Sequence, residues 1–179
     1  MIASPYLQDL PFKIELNRYG KIEMSPSSNQ HNYTQSELSH LLSRKLKKGK
    51  TFSECSIATT EGVKVADVVW CSKEFIQLHG FKTPYSTAPE ICIEVVSPSS
   101  SKEEMVNKVK LYLAAGAKEV WIYWESDKIE FFNLAGQIEQ SAYGVVVLCQ
   151  NKKLQNSHQR KHPAKPIKLN RLWKYKNDR

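Results

Sequence analysis

Near the middle of this sequence lies an apolar run with a single carboxylate inside it. Residues Ile91–Val96 read ICIEVV, a stretch of strand length that only Glu94 interrupts and that Ser97 and Pro98 close. A continuous run of this kind is typical of a strand buried within a sheet. Because a buried charge is costly unless another group compensates it, Glu94 is a candidate functional residue.

A second carboxylate has the same setting. Asp67 lies in the strand-like run Val63–Trp70, which follows Phe52–Ala58 across a turn and predicts a hairpin. A divalent cation would compensate both carboxylates, since Mg²⁺ accepts carboxylate, water and phosphate oxygens. The alternative is that each acid is a structural residue in an ion pair or at a solvated strand end. Taken alone, either acid fits that alternative better.

The remaining pattern predicts further strands and two helices. They are a hairpin within Lys13–Met24, a helix from His31 to Lys48, a helix over Glu103–Ala115, strands at Glu119–Trp124 and Lys128–Phe132, and one more strand at Tyr143–Cys149. Without that last strand, the predicted order is β-β-α-β-β-β-α-β-β. The fold class expected is mixed α and β.

Length and charge divide the chain into a body and a tail. With 179 residues the chain has the length of one domain, which we place at residues 1–150. Residues 151–179 contain ten of the 26 Lys and Arg residues but one of the 18 acids, so the tail accounts for the net charge of +8. Such a tail is typical of a solvated, poorly ordered segment, and it is also compatible with binding to nucleic acid.

The location expected is the cytoplasm. No apolar run reaches the roughly 18 residues that span a bilayer, and the N-terminus does not resemble a signal peptide. Four widely spaced cysteines, with no CxxC pair, indicate reduced thiols.

Other catalytic motifs are missing from the sequence. It contains no Gly-rich phosphate loop and no GxSxG, so nucleotide hydrolysis and acyl transfer have no support. His31 and His40 have no cysteine nearby that would indicate zinc, and we interpret both as surface histidines.

A lysine beside the carboxylates would suit phosphodiester hydrolysis. It can orient the attacking water and offset charge on the scissile phosphate. Lys108 and Lys110 both flank the apolar side of the second helix, so helical geometry alone leaves the choice between them open.

Four blocks of this sequence resemble the Uma family of restriction-endonuclease-like proteins, abundant in cyanobacteria and other bacteria. The resemblance runs from about Ile14 to Phe132. Its blocks are ELNRYGKIEMSP with His31 after it, VADVVWCS, PEICIEVVSPSSS and KVKLYLAAGAKEVWIYW. Together these blocks are specific, although each would be weak by itself.

The resemblance implies a PD-(D/E)xK nuclease with a mixed β-sheet flanked by helices, which binds Mg²⁺ or Mn²⁺ and hydrolyses DNA. Asp67 is similar to the motif aspartate and Glu94 to the second acidic ligand, and the carbonyl of Val95 is a further ligand. Lys108 matches the catalytic lysine. Glu37, on the first helix, matches an acid that completes such sites.

One departure from the motif concerns its lysine. Val96 stands two residues after Glu94, where the motif has lysine. The ammonium group must therefore come from Lys108, which precedes Tyr112 by four residues, as in the family.

Two other functions remain open. In the first, the chain keeps a nuclease fold but binds DNA or a protein partner without cutting. In the second, it is an interaction domain whose buried acids form ordinary ion pairs, which predicts a basic partner beside each carboxylate and no open cleft. A homodimer is compatible with the nuclease hypothesis, since nucleases that cut both strands often dimerise.

Overall fold

A computed structural model describes residues 13–25, 27–97, 100–124 and 126–147 of the chain. In chain order its elements are β1 (Lys13–Leu16), β2 (Ile22–Ser25), α1 (Asn29–Lys45), β3 (Gly49–Thr59), β4 (Gly62–Ser72), α2 (Lys73–His79), β5 (Ile91–Val95), α3 (Lys102–Ala114), β6 (Glu119–Tyr123), β7 (Ile129–Asn133) and β8 (Gly136–Ile138). β1 and β2 form a separate hairpin, and the other strands form one sheet in the order β3-β4-β5-β6-β7-β8. Within that sheet β5 and β6 are parallel and the other neighbours are antiparallel.

The central strands are buried because side chains of the helices pack on both faces of the sheet. On one face Leu38 and Leu42 of α1 pack against Ile91 and Ile93 of β5. On the other face the strands pack against α2 and α3, with Tyr112 completely buried. The fold is the mixed sheet flanked by helices that the sequence predicted.

Serine side chains fix the starts of the helices near the central strands. Ser28 Oγ accepts a hydrogen bond of 3.1 Å from the backbone N–H of His31, and Ser101 Oγ accepts one of 3.0 Å from that of Glu104. Such caps satisfy backbone donors that a first helical turn leaves free. The first cap places His31 in the first turn of α1.

The β1–β2 hairpin packs closely on the main sheet. Gly62 has φ 95°, and a Cβ atom there would collide with the carbonyl oxygen of Leu16. The close approach places Glu15 of β1 over β4, where its Oε1 accepts a hydrogen bond of 3.2 Å from the N–H of Val65.

Most of the predicted elements are confirmed, with shifted ends. The structure also contains α2 and β8, which the sequence patterns did not predict because seven and three residues are too few to show a period. The strand predicted at Tyr143–Cys149 is wrong for residues 143–147, which form no strand. Its last two residues and the tail 151–179 lie outside the described residues, so the division at residue 150 stays a prediction.

Three helices occur in the described part of the chain. None of them is long and apolar enough to cross a membrane.

Candidate active site

Three carboxylates occupy facing positions on neighbouring strands. The antiparallel register of β3 with β4 pairs Ser53 with Val68 and Cys55 with Ala66, so the position of Glu54 between them falls opposite Asp67. The register of β4 with β5, continued one residue past its last pair, places Asp67 opposite Glu94. Since adjacent strands are about 4.8 Å apart, one row of acidic residues crosses three strands.

The backbone is distorted at this row. Glu54 has φ 54°, a left-handed conformation that costs a non-glycine residue on the order of 1–3 kcal/mol. In a regular strand residues i and i+2 share a face, but Ala66 and Val68 belong to the cores on opposite faces of the sheet. The alternation of side chains therefore shifts at Asp67. Strain of this kind is concentrated at functional sites in proteins.

Asp67 is fully buried and is held from two directions. Its Oδ2 accepts a hydrogen bond of 2.7 Å from the backbone N–H of Val95, and its Oδ1 lies 3.3 Å from Nε2 of His31. Gln35, one turn further along α1, donates from Nε2 to the backbone carbonyl of Asp67 at 2.8 Å and also to Oε1 of Glu54. The helix α1 thus fixes two of the three carboxylate positions.

His31, Glu54 and Asp67 form a group that could hold a metal ion. Each offers one ligand atom, and these atoms all lie within 4.8 Å of one another. One imidazole nitrogen and two carboxylate oxygens suit divalent ions such as Mn²⁺ or Zn²⁺, while Mg²⁺ prefers oxygen ligands. The donor set therefore fits a divalent cation.

Glu94 points toward α3 and is only 2% exposed. The Tyr112 hydroxyl donates to its Oε1 at 2.7 Å, and Lys108 Nζ donates to its Oε2 at 3.1 Å. Burial, followed by the charges of Glu94 and Glu15, raises the pKa of Tyr112 well above its usual value. Tyr112 therefore keeps its proton and acts as a donor to Glu94.

Lys108 is shared between two acids. Besides Glu94, its Nζ donates to Oε1 of Glu15 at 2.9 Å. Glu15 also lies 3.5 Å from Nζ of Lys64, which contacts Glu23 at 3.7 Å. A hairpin far away in sequence thus contributes an acid that positions the lysine.

The structure separates the two lysines that the sequence left open. Lys108 is buried and contacts Glu94, whereas Lys110 is exposed. Both lie on α3, and the parallel crossover from β5 to β6 places that helix over the sheet.

Glu37 is half-buried on α1 and does not belong to the group around Asp67. At about 100° per residue, it lies about 120° around the helix from His31 and about 160° from Gln35. Its role stays a prediction, as does that of the Val95 carbonyl.

Four residues of the site were not predicted: Glu15, His31, Gln35 and Glu54. His31 was interpreted as a surface residue, which is corrected here because its side chain is only 11% exposed and contacts Asp67. Glu15 and Glu54 stand in amphipathic strands, where an acid is normally solvated. The available signal was register, since counting back from the β3–β4 turn pairs Glu54 with Asp67.

The fold is that of a restriction-endonuclease-like protein. The chain belongs to the Uma2 family, described as "Putative restriction endonuclease", whose family model matches residues 5–159. The family resemblance of the four sequence blocks is thereby confirmed.

A solved structure has the same fold. It is described as a "putative nuclease belonging to DUF820" from Anabaena variabilis ATCC 29413, is 18% identical, and aligns with a TM-score of 0.59. The alignment covers 72% of this chain and 73% of that one. Among curated proteins no match was found.

Proposed function

We propose that this chain is a metal-dependent nuclease that hydrolyses phosphodiester bonds of DNA. The observation that carries the proposal is the row of Glu54, Asp67 and Glu94 on adjacent strands, with Lys108 in contact with its last member. The family description and the description of the Anabaena protein agree with this function.

Asp67 is the central residue in this proposal, because its strand β4 lies between the strands that carry Glu54 and Glu94. With His31 and Glu54 it would hold Mg²⁺ or Mn²⁺, and Glu94 and the carbonyl of Val95 would supply further ligands. When bound, such a cation polarises a phosphoryl oxygen and lowers the pKa of a bound water.

Lys108 places a positive charge beside Glu94. There an ammonium group can orient the attacking water and offset the negative charge that develops on the phosphate. Glu15 and Tyr112 are positioning residues, since the first accepts a hydrogen bond from Lys108 and the second donates one to Glu94. Their contacts limit the conformations that both groups can adopt.

The structural alternative predicted a basic partner beside each buried acid, and both are present, as Lys108 at Glu94 and His31 at Asp67. Ion pairing alone does not account for Glu54. That exposed acid adopts a strained backbone conformation and places a second carboxylate against Asp67. Two adjacent carboxylates repel one another unless a cation lies between them, which favours a metal site.

Cleavage of supercoiled plasmid with Mg²⁺ or Mn²⁺ tests the proposal. We expect the native chain to nick or linearise plasmid, and Asp67→Asn and Glu94→Gln to lose this activity while keeping the native circular dichroism spectrum. Glu103→Gln, which changes an exposed acid on α3, is the matched control and should cleave normally.

A native chain that fails to cut with either metal would overturn the proposal. If that chain still retards DNA in a gel, it binds DNA without cutting it. Titration of Mn²⁺ by calorimetry gives a readout independent of cleavage, and Asp67→Asn should weaken this binding.

A further inference from the structure

A small cleft adjoins the row of carboxylates. Its lining includes Glu54 itself, with Phe52 and Ser56 of β3 on one side and Phe81 and Lys82 on the other. The volume of about 170 Å³ is close to that of a cavity of about 150 Å³ known to bind benzene. The cleft therefore has room for a single aromatic ring system.

Phe81 is the most unusual residue of this cleft. Its side chain is 74% exposed, although a phenylalanine ring gains free energy by leaving water. The Phe81 and Phe52 rings pack in a T-shaped arrangement, with 5.6 Å between centroids and 61° between planes. Phe81 is thus in contact with the sheet through Phe52, and much of its ring remains accessible.

The loop that carries Phe81 is tied down at its ends. The backbone N–H of Tyr85 donates to the carbonyl of Ser56 at 2.9 Å, and the N–H of Ala58 donates to the carbonyl of Tyr85 at 2.8 Å. The Tyr85 hydroxyl donates to the carbonyl of Gly80 at 2.7 Å. Because residues 80 and 85 are both fixed, Phe81 is presented in a defined position at little cost in conformational entropy.

We propose that this cleft binds one unstacked base of single-stranded DNA, next to the bond that the chain cuts. Phe81 stacks on the base, and Lys82 contacts the backbone phosphate beside it. Exposed aromatic rings next to a cation are the usual platform for single-stranded nucleic acid, since every base offers a face for stacking. A duplex keeps its bases stacked and cannot offer one. The inference rests on the proposed function, because Glu54 joins the cleft to the metal group.

Fluorescence anisotropy with the full chain tests the inference. In an Asp67→Asn background, which prevents cutting, we would compare labelled oligothymidylate with a duplex. Phe81→Ala should raise the Kd for the single strand about tenfold and leave the Kd for the duplex unchanged, whereas Phe81→Trp should retain binding. Lys82→Ala should reduce the slope of log K against log salt for the single strand by about 0.7.

The matched controls remove comparable side chains that do not line the cleft. Leu134→Ala removes another exposed apolar side chain, and Lys118→Ala removes an exposed lysine just before the start of β6. Both should bind like the parent. Equal weakening on single-stranded and duplex DNA, or no effect of Phe81→Ala, would overturn the inference.

Hydrolysis of bis(p-nitrophenyl) phosphate with Mn²⁺ separates this inference from the proposed function, since that ester needs no base-binding cleft. If the native chain hydrolyses the ester but Phe81→Ala binds single-stranded DNA as well as its parent, the cleft inference fails and the nuclease proposal stands. If Phe81→Ala selectively loses single-strand binding but the native chain hydrolyses neither the ester nor plasmid, the cleft inference stands and the nuclease proposal fails.

Discussion

Oδ2 of Asp67 accepts a hydrogen bond of 2.7 Å from the backbone N–H of Val95. Val95 directly follows Glu94, so this bond ties the two central acids together beyond the point where the β4–β5 ladder ends. The Asp67 carboxylate is therefore anchored to the backbone of the strand that carries Glu94.

Asp67→Asn should separate the effect of the carboxylate charge on cleavage from its effect on stability. An amide oxygen can still accept from Val95, so we expect a stable protein whose plasmid cleavage falls on the order of 100-fold or more. Asp67→Ala also removes the acceptor and should lower the free energy of unfolding by a further ~1–3 kcal/mol in urea titrations. Native cleavage rates in Asp67→Asn would contradict the role of this residue.

Lys108→Met should be strongly destabilising without metal. It leaves the carboxylates of Glu15 and Glu94 buried without the ammonium they share, and removal of one partner of a buried ion pair costs about 3–5 kcal/mol. Urea unfolding in EDTA measures this loss.

Added Mn²⁺ should restore part of the stability of Lys108→Met, because a cation can take the place of the ammonium. Lys110→Met is the control, since this exposed lysine lies on the same helix, and its unfolding free energy should change by less than about 0.5 kcal/mol. Equal destabilisation by both changes would show that loss of charge from the helix, rather than the buried contacts, matters.

Gln35→Glu should make folding depend on metal. Gln35 donates to Glu54 and to the carbonyl of Asp67, and a carboxylate in its place would face two acceptors. We expect a loss of about 1–3 kcal/mol in EDTA and recovery with Mn²⁺. In Gln35→Ala, which adds no ligand, the loss should persist with metal, and thermal unfolding with and without Mn²⁺ distinguishes the two variants.

Glu54→Gly should stabilise the protein in the absence of metal but lower its nuclease activity. Glycine adopts φ 54° without strain, so the unfolding free energy in EDTA should rise by about 1 kcal/mol. The change also removes a carboxylate from the metal group, so Mn²⁺ affinity and cleavage should both fall. Calorimetric titration and plasmid cleavage measure these effects, and unchanged Mn²⁺ affinity would remove Glu54 from the site.

Deletion of residues 151–179 should weaken DNA binding and flatten its salt dependence, since that segment holds ten of the basic residues. Binding isotherms over a range of salt concentrations test this. The same slope for both proteins would mean that the tail makes no phosphate contacts.

A site residue could be predicted from the sequence only where its type conflicted with the apolar pattern of its own strand. Asp67 and Glu94 were visible because a carboxylate within an apolar strand is costly, whatever surrounds it. Glu54 and Glu15 do not conflict with the pattern of their strands, since acids are common in half-exposed strands. His31 resembled any histidine near the start of a helix.

Periodicity and the cost of a buried charge are local properties, so the sequence alone predicted most of the strands, two of the helices, the burial of β5 and the two acids Asp67 and Glu94. The choice of Lys108 over Lys110 and the approach of Glu15, His31 and Glu54 to these acids became visible in the three-dimensional structure. Those contacts depend on strand register and on the packing of α1, α3 and the first hairpin, which join residues far apart in the chain.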